Sequence, residues 1–151
     1  MPINTDHPLI VAIDLGTSGP KVAVVDLEGK IISNAVHSVD LLHTADGGLE
    51  QDPEHWWQAV LKGISEVLQN PQVVRTKVVA ISCTAQWSGT LALDEHGTAL
   101  THGILWMDAR GANAVRKLNR FPPKIAGYNL FHLYRWIRMT GGAPSLTGKD
   151  S

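Results

Sequence analysis

Six residues near the front of the chain carry the chemistry most worth weighing: Asp14-Leu15-Gly16-Thr17-Ser18-Gly19. They follow an apolar run, LIVAID at residues 9–14, and lead into another, KVAVVD at residues 21–26. A glycine-rich turn behind a strand serves a dinucleotide only when it runs G-x-G-x-x-G into a helix, so that the pyrophosphate meets the helix N-terminus. Here the glycines are spaced differently and the next element is a strand, so the turn is a hairpin tip. Successive N–H groups in a tight turn still form a concavity that takes an anion such as phosphate. Thr17 and Ser18 would add hydroxyl donors, and Lys21 would neutralise phosphate charge. Asp14, at the end of its strand, is placed to hold Mg²⁺ through water. An ordinary hairpin with a turn-capping Asp explains the same six residues equally well.

A second group of candidates lies on loops that follow strands, where α/β proteins bind their ligands. Trp87 and Trp106 each offer a flat apolar wall for the C–H face of a polyol, while Gln86, Ser88, Asp108 or Arg110 could bond its hydroxyls. Taken singly, each Trp is more often a packing residue. Trp56, Trp57 and Trp136 fall on stretches of helical period and are assigned to packing, as is the single cysteine, Cys83. The seven histidines are scattered, with none of the short spacings of a metal site. Residues 142–150 nearly match a Walker A loop, with one residue too many between the glycines and Asp150 in place of the Mg²⁺-holding hydroxyl. That match is read as chance.

The elements that must position these groups follow from period and punctuation. Strands are expected over residues 9–14, 21–26 and 30–40, forming an antiparallel meander. Asp52-Pro53 is a helix start, an Asx cap with Pro at the first helical position. Trp56, Trp57, Val60, Ile64, Val67 and Leu68 then mark one apolar face, and Asn70-Pro71 ends the helix. A buried strand is expected over 77–82, a small-residue loop over 83–89, and strands over 90–94 and 104–106. Helices are expected from 108 or 109 to about 119 and over 130–139, the second ended by Gly141-Gly142. The region before residue 8 is read as a frayed terminus.

Composition narrows the function classes. The 151 residues are 44% hydrophobic and 18% charged, enough apolar content for a core and one domain by length alone. A net charge of -1 gives no electrostatic case for nucleic acid or an anionic membrane. One cysteine forms no internal disulfide. No apolar run approaches the roughly 20 residues of a membrane span. The expectation is a soluble, cytoplasmic, globular α/β protein.

The order of the motifs resembles the N-terminal part of the FGGY family of carbohydrate kinases. The carriers are Asp14 to Ser18 with Lys21, then Gly48-Leu49-Glu50-Gln51-Asp52-Pro53 with Trp56, then Ile81-Ser82-Cys83-Thr84-Ala85-Gln86, and last Ile104-Leu105-Trp106-Met107-Asp108-Ala109-Arg110. Each is weak alone, and the four in this order are specific. The resemblance implies a ribonuclease H-like fold of the actin/hexokinase ATPase type, in two lobes with ATP and sugar between them. It implies that Asp14, Gly16, Thr17 and Ser18 face the ATP phosphates and Mg²⁺, with Lys21 nearby. It places Gln86, Trp87 and Ser88 on the sugar-contacting loop and Trp106 in the sugar pocket.

Departures limit what carries over. Glycerol kinases typically have Arg-Glu at the positions of Trp87 and Ser88, and xylulose kinases Met-His, so the sugar is left open. The Trp106 to Arg110 segment leans toward the xylulose kinase branch. The resemblance also places the family's catalytic Asp and its adenine-binding lobe beyond Ser151. Residues 1–151 are therefore expected to be an incomplete N-terminal domain, inactive alone, within an ATP-dependent sugar or polyol kinase. The exposed lobe interface is expected to favour homo-oligomers or other association. The alternatives are a non-catalytic ligand- or partner-binding module of the same fold, and another actin-fold phosphotransferase.

Overall fold

The computed structural model describes residues 7–125 and 128–141. The chain divides into two compact units, residues 1–43 with 49–106, and residues 44–48 with 107–151.

The first unit is built on a four-stranded sheet. Its strands are β1 (Leu9–Gly16), β2 (Gly19–Val25), β3 (Ile31–Val36) and β6 (Val78–Ala85), in the order β3-β2-β1-β6. The first three form the expected antiparallel meander, while β6 runs parallel to β1. A parallel return needs a crossover, and it contains β4 (Leu42–His43), β5 (Leu49–Gln51) and helix α1 (Pro53–Gln69). Alternation in β1 buries Leu9, Val11 and Ile13 on one face, the period-2 signature of a half-covered strand. Val22 and Val24 of β2, Ala35 of β3, and Val60 and Val67 of α1 complete the core. Each fully buried valine adds about 1.5–3 kcal/mol of hydrophobic stabilisation. A second sheet in this unit has the order β4-β5-β7, with β7 at Gly103–Ile104.

Helix α1 starts as its sequence demands: the Asp52 carboxylate accepts from the Glu54 N–H at 2.8 Å, and Pro53 opens the first turn. It packs mainly on β2 and β3. The contact is close at Gly63, where a Cβ would stand 2.7 Å from a Val22 methyl. That placement leaves β6 uncovered, which corrects the expectation of a buried strand: Val79 and Ile81 are exposed, Ile81 by 65%. The strand also runs on to Ala85, so the expected loop begins three residues late. Cys83 lies on this open strand and is exposed rather than packed. Residues 90–94 form no strand and hold only the isolated bridges of Thr90 and Leu93. Trp57 points outward, 56% exposed, whereas Trp56 is half-buried.

The second unit holds α2 (Ala112–Leu118), the hairpin β8 (Lys124–Ile125) with β9 (Tyr128–Asn129), and α3 (Leu130–Thr140). The α2 helix starts later than expected, because residues 107–111 form turns. Asn129 is buried and does two jobs: its side-chain oxygen caps Phe131 and His132, and its amide donates to the Phe121 carbonyl at 2.9 Å. Trp136 is exposed rather than packed. Gly141 ends α3 as expected. Gly142 and the near-Walker stretch at 142–150 lie outside the described residues. Among the described residues no helix is long and apolar enough to cross a membrane.

Candidate functional site

The site grows from the tip of the β1–β2 hairpin. Gly16 pairs with Gly19 as the last rung of the ladder, leaving Thr17 and Ser18 as a two-residue loop. Gly19 has φ +125°, and a Cβ there would collide with the His37 carbonyl oxygen and lie 2.9 Å from Ser38 Cα. Only glycine fits such a position without strain. The chain behind it is held by Val39 N–H donating to the Ser18 carbonyl and His37 N–H to the Pro20 carbonyl, both at 3.1 Å. The N–H groups of Thr17 and Ser18 have no hydrogen-bond partner among the described residues. Two such groups on adjacent residues of a tight turn are what an anion-binding concavity requires.

At the base of the turn Asp14 and Lys21 pair across the ladder, with Lys21 Nζ 3.2 Å from Asp14 Oδ2. Both side chains are about half exposed. Among the described residues no group of three or more His, Cys, Asp or Glu could hold a metal ion. The expected Mg²⁺ does not need one. It keeps several waters and binds through one or two carboxylates together with substrate phosphates, and Asp14 supplies such a carboxylate at the turn. The turn N–H groups and Lys21 likewise match the charge of a polyphosphate. The residues present therefore fit both groups.

On the other side of the turn, the structure brings three sequence candidates together. Thr17 Oγ1 donates to Gln86 Oε1 at 2.8 Å, and the Trp106 indole N–H donates to Thr17 Oγ1 at 3.1 Å. The Gln86 backbone N–H also donates to the Leu15 carbonyl at 2.9 Å, so β6 delivers Gln86 directly to the hairpin. Trp87 and Ser88 follow on the same loop, Trp87 being 76% exposed. Ser88 has φ +58°, a left-handed conformation uncommon for a residue with a Cβ. A concavity of about 460 Å³ lined by Asp52, Pro53, Glu54, Leu91, Leu93 and Thr98 shares no residue with this group.

Sequence reasoning assigned no role to Gln51, the residue beneath the turn. It is fully buried. Its Nε2 donates to the Thr17 carbonyl at 2.9 Å and to the Val39 carbonyl at 3.3 Å, while its Oε1 accepts from the Trp56 indole at 3.0 Å. The available signal was a Gln placed directly before a capped helix start and five residues before a Trp. Polarity pointed the other way, since glutamine is seldom fully buried.

Asp108 lies in the second unit, where its carboxylate is almost covered and is gripped by Arg110. The Arg110 Nε stands 2.9 Å from Asp108 Oδ2, and Nη2 stands 2.7 Å from the same oxygen. Asp46, in the same unit, is held below the usual carboxylate range, chiefly by a hydrogen bond from the Thr44 hydroxyl. The Gly48 N–H and the Arg110 charge add to that effect.

Comparison with known proteins adds the remaining findings. The model of the FGGY family of carbohydrate kinases, N-terminal domain, matches residues 9–141. A xylulose kinase of Staphylococcus epidermidis is 33% identical over 121 residues, which are 80% of this chain and 24% of that protein. A glycerol kinase of Aquifex aeolicus is 34% identical over 114 residues, 75% of this chain and 23% of that protein. Among solved structures, a xyloylose kinase from Brucella ovis superposes with a TM-score of 0.69 at 27% identity, covering 74% of this chain and 24% of that one. The chain thus spans about a quarter of the length of the relatives it matches. The expected fold, the N-terminal part of the actin/hexokinase-like ATPase type, is the fold of these structural neighbours.

Proposed function

Because this chain belongs to the FGGY family of carbohydrate kinases, we propose that it forms the front of an ATP-dependent kinase of a sugar or polyol. The observation that carries this reading is the hairpin tip, with two unpartnered N–H groups beside a carboxylate and an ammonium group. In this reading Thr17 and Ser18 present backbone N–H groups to the ATP phosphates, and Gly16 faces the same phosphates. Lys21 offsets phosphate charge, and Asp14 holds Mg²⁺ through water. The bound metal would neutralise charge on the transferring phosphoryl group.

Gln86, Trp87, Ser88 and Trp106 form the sugar side. The exposed Trp faces offer an apolar wall, and the carboxamide and hydroxyl address hydroxyl groups. Asp108 is proposed to contact the substrate through its carboxylate, which can bond polyol hydroxyls. The Trp106 to Arg110 segment leans the substrate toward a ketopentose such as xylulose. Phosphoryl transfer depends on positioning and charge neutralisation from both sides of the reacting group, and a general base adds about 10²–10⁴-fold. The 151 residues are proposed to supply one side of that arrangement, without the general base.

The test is an amide-resolved NMR titration of the chain with Mg·ATP, then with D-xylulose, glycerol and D-gluconate, alongside an ADP-release assay. Mg·ATP is expected to shift the Thr17 and Ser18 amides, a sugar to shift the Gln86 and Trp106 side-chain resonances, and turnover to be absent. Shifts elsewhere, or none with any ligand, would overturn the site assignment. Turnover would overturn the division of labour.

A further inference from the structure

The hydrogen bonds beneath the hairpin tip have their directions forced by chemistry. An indole N–H only donates and a backbone carbonyl only accepts. Trp56 therefore fixes which end of the Gln51 amide is oxygen, and the Thr17 and Val39 carbonyls fix the other end as nitrogen. The two constraints agree, so the buried Gln51 has one orientation. Above it, the Trp106 indole donates to Thr17 Oγ1 and the Thr17 hydroxyl donates to Gln86 Oε1. That interaction uses one lone pair of the Gln86 oxygen and leaves its NH₂, which has no partner among the described residues.

Resting on the sugar-kinase reading, we infer that Gln51 is a positioning residue that acts through Thr17. It sets the turn so that the Thr17 hydroxyl holds Gln86 as a hydrogen-bond donor toward substrate and holds Trp106 in place. Thr17 thereby serves both sides of the site, its backbone N–H facing phosphate and its hydroxyl ordering the sugar side. The specificity that follows is chemical: the Gln86 NH₂ addresses an acceptor, a carbonyl or hydroxyl oxygen. A fully buried, fully satisfied amide resists reorientation, because each bond lost in the interior exposes an unpaired polar group at a cost of about 1–3 kcal/mol.

The test reads indole and carboxamide resonances of the ¹⁵N-labelled 151-residue chain, first without ligand. Thr17→Val is expected to move the Trp106 indole N–H upfield and to raise its solvent exchange roughly fivefold, the equivalent of one ordinary hydrogen bond. Thr17→Ser should restore both. Gln51, which hydrogen-bonds to neither Trp106 nor Gln86, is replaced in Gln51→Met, which is expected to perturb the Trp106 indole and the Gln86 carboxamide together while the melting transition stays cooperative. If that variant does not fold, Trp56→Phe, which removes the indole bond that orients Gln51, takes its place and is expected to perturb the same two resonances; an unchanged pair in folded Trp56→Phe overturns the inference. An unchanged Trp106 resonance in a folded Thr17→Val or Gln51→Met chain overturns the inference.

A second arm adds D-xylulose and compares Gln86→Glu, which cannot donate. Loss of the ligand response in that variant supports the donor assignment, and an undiminished response overturns it. If no sugar shifts any resonance of the unaltered chain, the sugar-kinase reading of this site fails. The ligand-free spectra still judge the link from Gln51 through Thr17 to Trp106.

Discussion

Asp14 and Lys21 face each other across the β1–β2 ladder, with the ammonium group 3.2 Å from the carboxylate. Both are about half exposed, so their attraction is screened by water and worth about 0–1 kcal/mol. A pair that contributes so little to the fold is free to serve a ligand: the lysine can turn to a polyphosphate and the carboxylate to its metal. Lys21→Met is therefore expected to shift the melting temperature only slightly. It should weaken Mg·ATP binding roughly tenfold, the effect of about 1.4 kcal/mol of lost attraction. Asp14→Asn should spare stability in the same way and reduce the dependence of ATP binding on Mg²⁺. Calorimetric titration beside thermal melting separates the two effects. A large loss of stability with no change in ATP binding would make the pair structural.

Gly19 and Gly29 both have positive φ but differ in what surrounds them. At Gly29, φ is +82° and nothing lies within 4 Å of a new Cβ, whereas at Gly19 the new Cβ meets backbone on the far side of the turn. Gly29→Ala is expected to cost about 1–2 kcal/mol, the ordinary left-handed penalty. Gly19→Ala must also push the His37–Val39 segment away and break the Val39 bond to Ser18. It should cost distinctly more and displace the turn amides. Urea unfolding of the two variants gives the comparison, and equal losses would mean that the close approach at Gly19 carries no weight.

The same residues show what was legible from sequence. The β1–β2 hairpin was readable because alternation, two bounding glycines and a carboxylate all act locally. The start of α1 was readable because Asp52 and Pro53 are sufficient on their own to cap a helix. Misreadings came where burial depends on distant partners. The run Val78 to Ser82 looks like a core strand, yet α1 covers β2 and β3 and leaves Ile81 exposed. Trp57 has helical spacing but lies off the packed face. Gln51 was noticed only as part of a motif, since nothing local reveals that two carbonyls and an indole surround it. At the site, Gln86 and Trp106 were chosen as separate loop residues, and only the fold shows that Thr17 joins them.

Asp46 gives the second unit a dependence on pH. Its carboxyl is held low first by the Thr44 hydroxyl, then by the Gly48 N–H and the Arg110 charge. A carboxyl whose folded value lies below its unfolded value favours the folded loop. That contribution is complete above the unfolded value of about 3.9 and is lost as pH falls through the folded one. Carboxyl-carbon NMR is expected to show Asp46 titrating below an ordinary Asp. Thr44→Val should raise its midpoint. A midpoint unmoved by that change would assign the shift to the Gly48 N–H and the Arg110 charge.

Ser88 and Trp87 separate ligand recognition from stability on one loop. Relief of the left-handed backbone at Ser88 is worth about 1–2 kcal/mol, against about 0.4–1 kcal/mol of added freedom that glycine brings to the unfolded chain. Ser88→Gly is therefore expected to stabilise the protein by about 0.5 kcal/mol, the surplus of those opposing terms. It should also lose whatever the hydroxyl contributes to sugar binding. Trp87→Ala removes a largely exposed ring, so its melting temperature should stay close to that of the unaltered chain while the response to sugar falls. A loop that carries a strained serine and an exposed tryptophan gains nothing from either in the folded core, which is the pattern expected where stability has been given up for recognition. Thermal melting and sugar titration of both variants check this together. If Ser88→Gly destabilises the chain, or if Trp87→Ala leaves sugar binding intact, the loop is shaped by the fold and not by a ligand.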